Sequence, residues 1–120
     1  CPLLDARRSQ VYTAVFRSDG SGKLKRLSPD ATMDPGDLDR LLDMLVQDGE
    51  KVYLLGDGMP VYGQLLTENK PDRTAVKPFQ SLGHAASVAA CAQDHPEQAV
   101  DFHVLEPVYL RPSYAEEKKK

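Results

Sequence analysis

Two aspartates in this sequence stand where their surroundings can do chemistry. Asp5 heads the stretch Asp5-Ala6-Arg7-Arg8, just ahead of the β-rich run VYTAVF, and Asp57 lies between two glycines in Gly56-Asp57-Gly58. Two acids on neighbouring strands can hold a divalent metal that activates water and steadies a leaving oxygen, although such a site typically needs about three or four carboxylates. Only Asp5 and Asp57 can be placed. The glycine-flanked turn can let a backbone approach a phosphate or an adenosine. Arg7 and Arg8 offer planar forks for a phosphate or a partner's carboxylate. Each signal also has a plainer source. Aspartate bonds its own backbone in turns, glycine supplies turn geometry, and exposed arginines keep a hairpin soluble.

The other reactive residues assemble nothing. His84, His95 and His103 lack the i, i+4 pairing that puts two imidazoles on one helical face. His84 and Cys91 are seven residues apart and point the same way, with no third ligand near them. No G-x-S-x-G, P-loop or H-E-x-x-H stretch occurs, and no nucleophile, base and oxyanion hole come together. The reading therefore assigns no catalytic residue, no metal and no cofactor.

The chain has 120 residues, 41% hydrophobic and 28% charged, with a net charge of −3. That is one domain with a single core, and it lacks the basic excess of a nucleic-acid-binding face. No apolar run approaches the roughly 20 residues that cross a bilayer, and no signal peptide is visible. Two cysteines make no disulfide framework, as expected in a reducing cytoplasm.

The elements that must position Asp5 and Asp57 follow from periodicity and turn residues. Residues 2–5, 10–17 and 24–33 read as a three-strand meander, with Ser18-Asp19-Gly20-Ser21-Gly22 as a turn and Pro29 marking an edge strand. Asp34 caps a helix with Pro35 first. Leu38, Leu41, Leu42 and Leu45 line one side of it, and Gly49 is expected to stop it. Residues 52–55 read as a buried strand, and 60–67 as a helix with Val61, Leu65 and Leu66 inward. After a loop over 69–73, residues 74–77 form a strand. Ser81 is expected to cap an alanine-rich helix (Ala85, Ala86, Ala89, Ala90, Ala92) that lies flat on the sheet.

The order β-β-β-α-β-α-β-α predicts an α/β fold of ribonuclease H-like architecture, a mixed five-stranded sheet ordered 3-2-1-4-5 with flanking helices. Residues 1–112 form the lobe and 113–120 a solvated tail. Strands 1 and 4 are neighbours in that order, so Asp5 and Gly56-Asp57-Gly58 come side by side at the strands' carboxyl ends, where α/β sheets bind ligands.

The stretches LLDARRSQVYTAVF, LLGDG and LEPVYLRPSYAE resemble a bacterial family, the threonylcarbamoyladenosine-tRNA biosynthesis adaptor subunits, often labelled glycoprotease-like. Its members carry D-A-R-x-x-E-V-Y, a G-D-G turn and a closing P-x-Y-L-R-P strand. Asp5 to Tyr12, Gly56 to Gly58 and Pro107 to Pro112 match these, with Gln10 where Glu is commoner. The resemblance implies a two-lobed, actin-like ATPase fold with each lobe ribonuclease H-like, of which this chain answers to the second lobe. It implies a non-catalytic scaffold for the related catalytic subunit that transfers threonylcarbamoyl to adenosine of tRNA, with a small ATPase joining them. Transfer RNA is met indirectly, nucleotide only in the assembled complex, and a membrane not at all. The catalytic relatives hold metal through histidines on one helix, a pair this sequence lacks, so no proteolysis is expected. Asp5, Arg7 and Arg8 would be an interdomain or partner contact at the rim of the cleft between lobes, and Gly56, Asp57 and Gly58 are the candidate nucleotide contact. The alternative is a metal- or nucleotide-binding enzyme lobe, a nuclease or an ATPase, built on Asp5 beside Asp57.

Overall fold

The computed structural model describes residues 1–81 and 83–110. β1 (Leu3–Asp5) pairs antiparallel with β2 (Val11–Thr13), Leu3 opposite Thr13 and Asp5 opposite Val11. The alternation expected of a half-buried strand is present: Leu3, Val11 and Thr13 are buried while Leu4 is exposed.

The meander is not made of continuous strands. Residues 10–17 divide into β2 and β3 (Phe16–Ser18), and residues 24–33 into β4 (Leu24–Arg26) and β5 (Ala31–Met33). β5 pairs with β2, whereas β3 and β4 form a separate hairpin. The cause lies at Pro29, which has no N–H for a ladder. Thr13 faces Ala31 and Phe16 faces Arg26, so residues 14–15 stand opposite residues 27–30. The Ser28 hydroxyl accepts the Val15 N–H at 2.8 Å. The Val15 carbonyl in turn accepts two N–H groups, from Leu27 at 2.7 Å and from Ser28 at 3.3 Å. A bulge satisfies the polar groups that the proline strands.

β6 (Val52–Leu54) and β7 (Arg73–Ala75) pair in parallel. A bridge between Pro2 and Leu55, also parallel, joins the start of β1 to the end of β6. There Cys1 N donates to the Tyr53 carbonyl at 2.9 Å, Leu55 N to that of Cys1 at 3.2 Å, and Leu3 N to that of Leu55 at 2.6 Å. The described residues thus make a small α/β domain with antiparallel and parallel strand pairs, and none of its helices is long and apolar enough to cross a membrane.

α1 (Pro35–Leu45) starts as its sequence dictates. The Asp34 carboxylate accepts the Gly36 N–H at 2.7 Å, and Pro35 takes the first helical position. Its end is a correction, because the helix stops at Leu45 and Val46 is already extended. Gly49, with φ +84°, serves a separate turn closed by Glu50 N–H to Gln47 O at 3.0 Å. Arg17 accounts for the early stop. Its guanidinium donates to the Leu45 carbonyl at 2.9 Å and to Glu50 at 3.0 Å, so an orphan carbonyl of the last turn is satisfied from outside. Pro35, Leu38 and Leu42 are buried, while Leu41 and Leu45 are only partly so. Leu42→Ala should therefore cost about 3 kcal/mol by leaving a cavity, and Leu41→Ala clearly less. Urea midpoints of the two variants would show the order, and equal losses would contradict this packing.

α2 (Met59–Thr67) buries Leu66 as expected, but not Val61 or Leu65. Val61 and Leu65 are exposed; Gly63 and Leu66 are buried, and Met59 and Tyr62 pack partly against the core. Positions 59, 62, 63 and 66 are the i, i+3, i+4, i+7 set of a helix that begins at Met59. A Cβ at Gly63 would come within 2.8 Å of the Met59 methyl, so the glycine leaves Met59 its place.

Arg73, expected in the loop, is the first residue of β7 and is buried. Arg73 meets Asp39 and Asp43 of α1, and Lys70 donates to Asp43 at 2.6 Å. The Lys70 hydrogen bond holds the Asp43 carboxyl below its ordinary pKa, with the Arg73 charge helping, and the same bond raises Lys70. Glu50 is likewise lowered, first by the Gln47 N–H and then by Arg17. A lowered carboxyl contributes stability that is complete above its unfolded pKa, about 4, and is lost as pH falls through the folded value. Lys70 contributes below its unfolded pKa, about 10.4, and loses that as pH rises through its raised value. Denaturation midpoints should hence decline below about pH 4 and again above about pH 10.4, and Asp43→Asn should flatten the acid limb.

Contacts divide the chain into Cys1–Leu82 and Gly83–Lys120. The core of Leu3, Val11, Val15, Leu38, Leu42, Val52, Leu54 and Leu66 belongs to the first. In the first unit, α3 (Pro78–Ser81) ends at Ser81. In the second, α4 (Ala85–Asp94) is exposed along its whole length, so the alanine positions read as a buried face are not buried. Nor does Ser81 cap it. His84 holds that position without a side-chain bond, and the Ser81 hydroxyl is engaged at Gly56. Residues 107–110 of the closing motif are irregular, and Arg111, Pro112 and the tail over 113–120 lie outside the described residues.

Candidate functional site

The loop from β1 to β2 is closed by backbone bonds, Ala6 N–H to Gln10 O and Gln10 N–H to Arg7 O, both at 3.0 Å. Closure in so few residues puts Arg7, Arg8 and Ser9 in the left-handed region, with φ of 61°, 52° and 58°. That conformation costs an L-residue other than glycine, asparagine or aspartate roughly 1–2 kcal/mol. Three in succession is a concentrated strain. Asp5 braces it, since one carboxylate oxygen accepts the Arg7 N–H at 2.8 Å and the other the Arg7 guanidinium at 3.1 Å. The Asp5 side chain is 18% exposed and that of Arg7 86%.

Gly56-Asp57-Gly58 follows β6 and meets β1. Gly56 has φ +116°, and a Cβ there would lie 2.1 Å from the Leu3 carbonyl oxygen. Its N–H donates to the buried Ser81 hydroxyl, and the Gly58 N–H donates to Leu3 O at 3.0 Å. Asp57 Oδ1 accepts the Asp5 N–H at 3.0 Å. Asp5 and Asp57 therefore do come together, but one acid caps the other's backbone rather than facing its carboxylate. Two N–H groups of the glycine turn are spent inside the fold, which withdraws them from a phosphate.

Tyr62, one turn into α2, completes the group. Burial pushes its hydroxyl pKa up, and the adjacent Asp5 carboxylate adds to the shift. Sequence reasoning missed Tyr62 and Ser81. The spacing of Tyr62 four residues beyond Gly58 was a usable signal, while nothing local marks Ser81. In the second unit His95 lies beside Glu97 at 3.2 Å and His103 beside Asp101 at 2.7 Å, in exposed local pairs. Among the described residues no three His, Cys, Asp or Glu side chains are grouped to hold a metal.

What these groups can do chemically is bind. A guanidinium braced by Asp5 stands out from a stiff turn, with the exposed Asp57 beside it. No family model matches the chain. Over 98% of its length it is similar, at 29% identity, to the tRNA threonylcarbamoyladenosine biosynthesis protein TsaB of Bacillus subtilis (strain 168). The chain spans about half, 49%, of that relative. The resemblance carried by DARR, GDG and the closing motif is thus met again over nearly the whole chain: it resembles the tRNA threonylcarbamoyladenosine biosynthesis proteins.

Proposed function

We propose that this chain acts as a scaffold lobe in the making of threonylcarbamoyladenosine in tRNA, supporting a related catalytic transferase subunit rather than carrying the chemistry itself. The observation that carries the reading is the similarity to TsaB along 98% of the chain. On this reading residues 1–112 are one ribonuclease H-like lobe of a two-lobed protein, and the sheet order is 3-2-1-4-5. The three hydrogen bonds between residues 1–3 and 53–55 support that order, because they set β1 between β2 and β6. Asp5, Arg7 and Arg8 are the interdomain or partner contact, at the rim of the cleft. A small ATPase subunit joins the complex in the cytoplasm, tRNA is met through it, and any nucleotide near Gly56, Asp57 and Gly58 belongs to the assembled state.

An enzyme lobe would need the same acids free. Here one Asp57 oxygen holds the Asp5 N–H, and both Asp5 oxygens hold Arg7. The test is reconstitution with the full-length protein. Threonylcarbamoyladenosine should form on tRNA when an activated threonylcarbamoyl donor, the catalytic subunit and the ATPase of the same organism are supplied with it, and should fall sharply without it. Formation that is indifferent to this protein would sink the reading.

A further inference from the structure

We propose that the Arg7-Arg8-Ser9 turn is a preorganised recognition element that presents the Arg7 guanidinium to a carboxylate on a protein partner. The starting point is the run of left-handed residues without a glycine among them. A turn needed only for solubility relaxes with glycine or asparagine, which reach that conformation at little penalty. Strain retained on the surface stands where surrounding structure over-determines it, and such places cluster at binding sites. Here the over-determination is explicit. The bonds Ala6–Gln10, Gln10–Arg7 and Asp5–Arg7 hold the loop, and Asp57 holds Asp5.

Asp5 also aims the side chain. It takes the Nη1 edge of Arg7 at 3.1 Å, and a guanidinium has five N–H donors. The remaining donors of an 86% exposed side chain match a carboxylate in a forked, two-bond pairing. Fixing the fork before contact removes ordering entropy from the binding step. Asp5 is thus a positioning residue for Arg7. A protein carboxylate suits the place better than a phosphate backbone. The exposed Asp57 stands beside the turn and the chain carries net charge −3, so a continuous run of phosphates would be repelled where one carboxylate would not.

The identity of the partner, the catalytic transferase subunit, rests on the function proposed above; the chemistry of the turn does not. Two variants of the full-length protein test it. Ser9→Gly keeps Arg7 and relieves strain, so it should raise the melting temperature while weakening binding to the transferase subunit about tenfold. Arg7→Lys keeps the charge but loses the fork, and should weaken binding similarly with the melting temperature unchanged. Wild-type affinity in both variants overturns the proposal. A second arm uses the peptide acetyl-Glu-Glu-Glu-amide and the Arg7 side-chain Nε–H signal by NMR. That signal should shift in the wild type and shift less in Ser9→Gly. If the wild type fails to bind the transferase, the functional reading falls and the peptide arm decides this proposal. No shift with the peptide, or a larger one with a single-stranded oligonucleotide, overturns it.

Discussion

Gly56→Ala is expected to destabilise the protein by about 4 kcal/mol or more, a loss few single substitutions produce. Two independent causes act at this position. The backbone stands at φ +116°, which a residue with a Cβ adopts only under strain. The new Cβ would also fall 2.1 Å from the Leu3 carbonyl oxygen and 2.9 Å from its carbon, and both are backbone atoms of β1 that cannot swing aside. Relief would require parting β1 from the glycine turn. That would break the Gly58 N–H to Leu3 O bond and the Asp57 to Asp5 bond together. Gly58→Ala is the control. Its Cβ would meet Leu3 at 3.2–3.4 Å with an ordinary backbone, so a loss of about 1 kcal/mol is expected. Urea denaturation of both variants measures the contrast. A Gly56→Ala protein as stable as Gly58→Ala would mean that the two strands are not held this close.

Arg73→Ala is expected to cost about 3–5 kcal/mol, because it removes a fully buried, hydrogen-bonded side chain and leaves a void. The Arg73 side chain is fully buried and meets the Asp39 and Asp43 carboxylates. It also donates to the Leu66 carbonyl at 3.0 Å and the Asp39 carbonyl at 3.2 Å. It thereby ties α1 and the end of α2 to β7. Alanine leaves a void and the Leu66 carbonyl unpaired, and it leaves two carboxylates that Lys70 answers at 2.6 Å and 3.5 Å. The penalty belongs mainly to the buried guanidinium's lost packing and hydrogen bonds, because the Asp39 and Asp43 side chains are 29% and 50% exposed and keep Lys70. Arg73→Met, which refills most of the void, should therefore recover part of the loss that Arg73→Ala shows. Equal losses in the two variants would refute that account.

Much of this fold was legible because its causes are local. Asp34 and Pro35 set the start of α1 through one side chain and one ring, and the leucine period put Leu38 and Leu42 inside. The Asp19 turn was legible for the same reason: its carboxylate bonds Ser21 N–H, two residues away, at 2.8 Å. The meeting of Asp5 with Asp57 was also within reach, since it follows from placing two strands side by side.

Where sequence reasoning failed, the deciding partner was distant in the chain. Arg17, 28 residues from Leu45, ends α1 before Gly49 does. The Ser28 hydroxyl, 13 residues from Val15, stabilises the break that Pro29 imposes on the meander. The Ser81 hydroxyl is taken by Gly56, 25 residues away, which nothing near Ser81 in the chain foretells. Arg73 looked like a loop cation because its acids lie on another element. The sequence by itself determined the succession α1, β6, α2 and β7, the capped start of α1, its leucine core and the candidate pair Asp5 and Asp57. Tertiary structure alone decided where α1 ends, which face of α2 is buried, that Gly56 admits no side chain, and that Arg7-Arg8-Ser9 is strained. The reason is physical. Periodicity and capping act within a turn or two of chain, whereas close approach, buried charge and loop closure depend on atoms that only folding brings into contact.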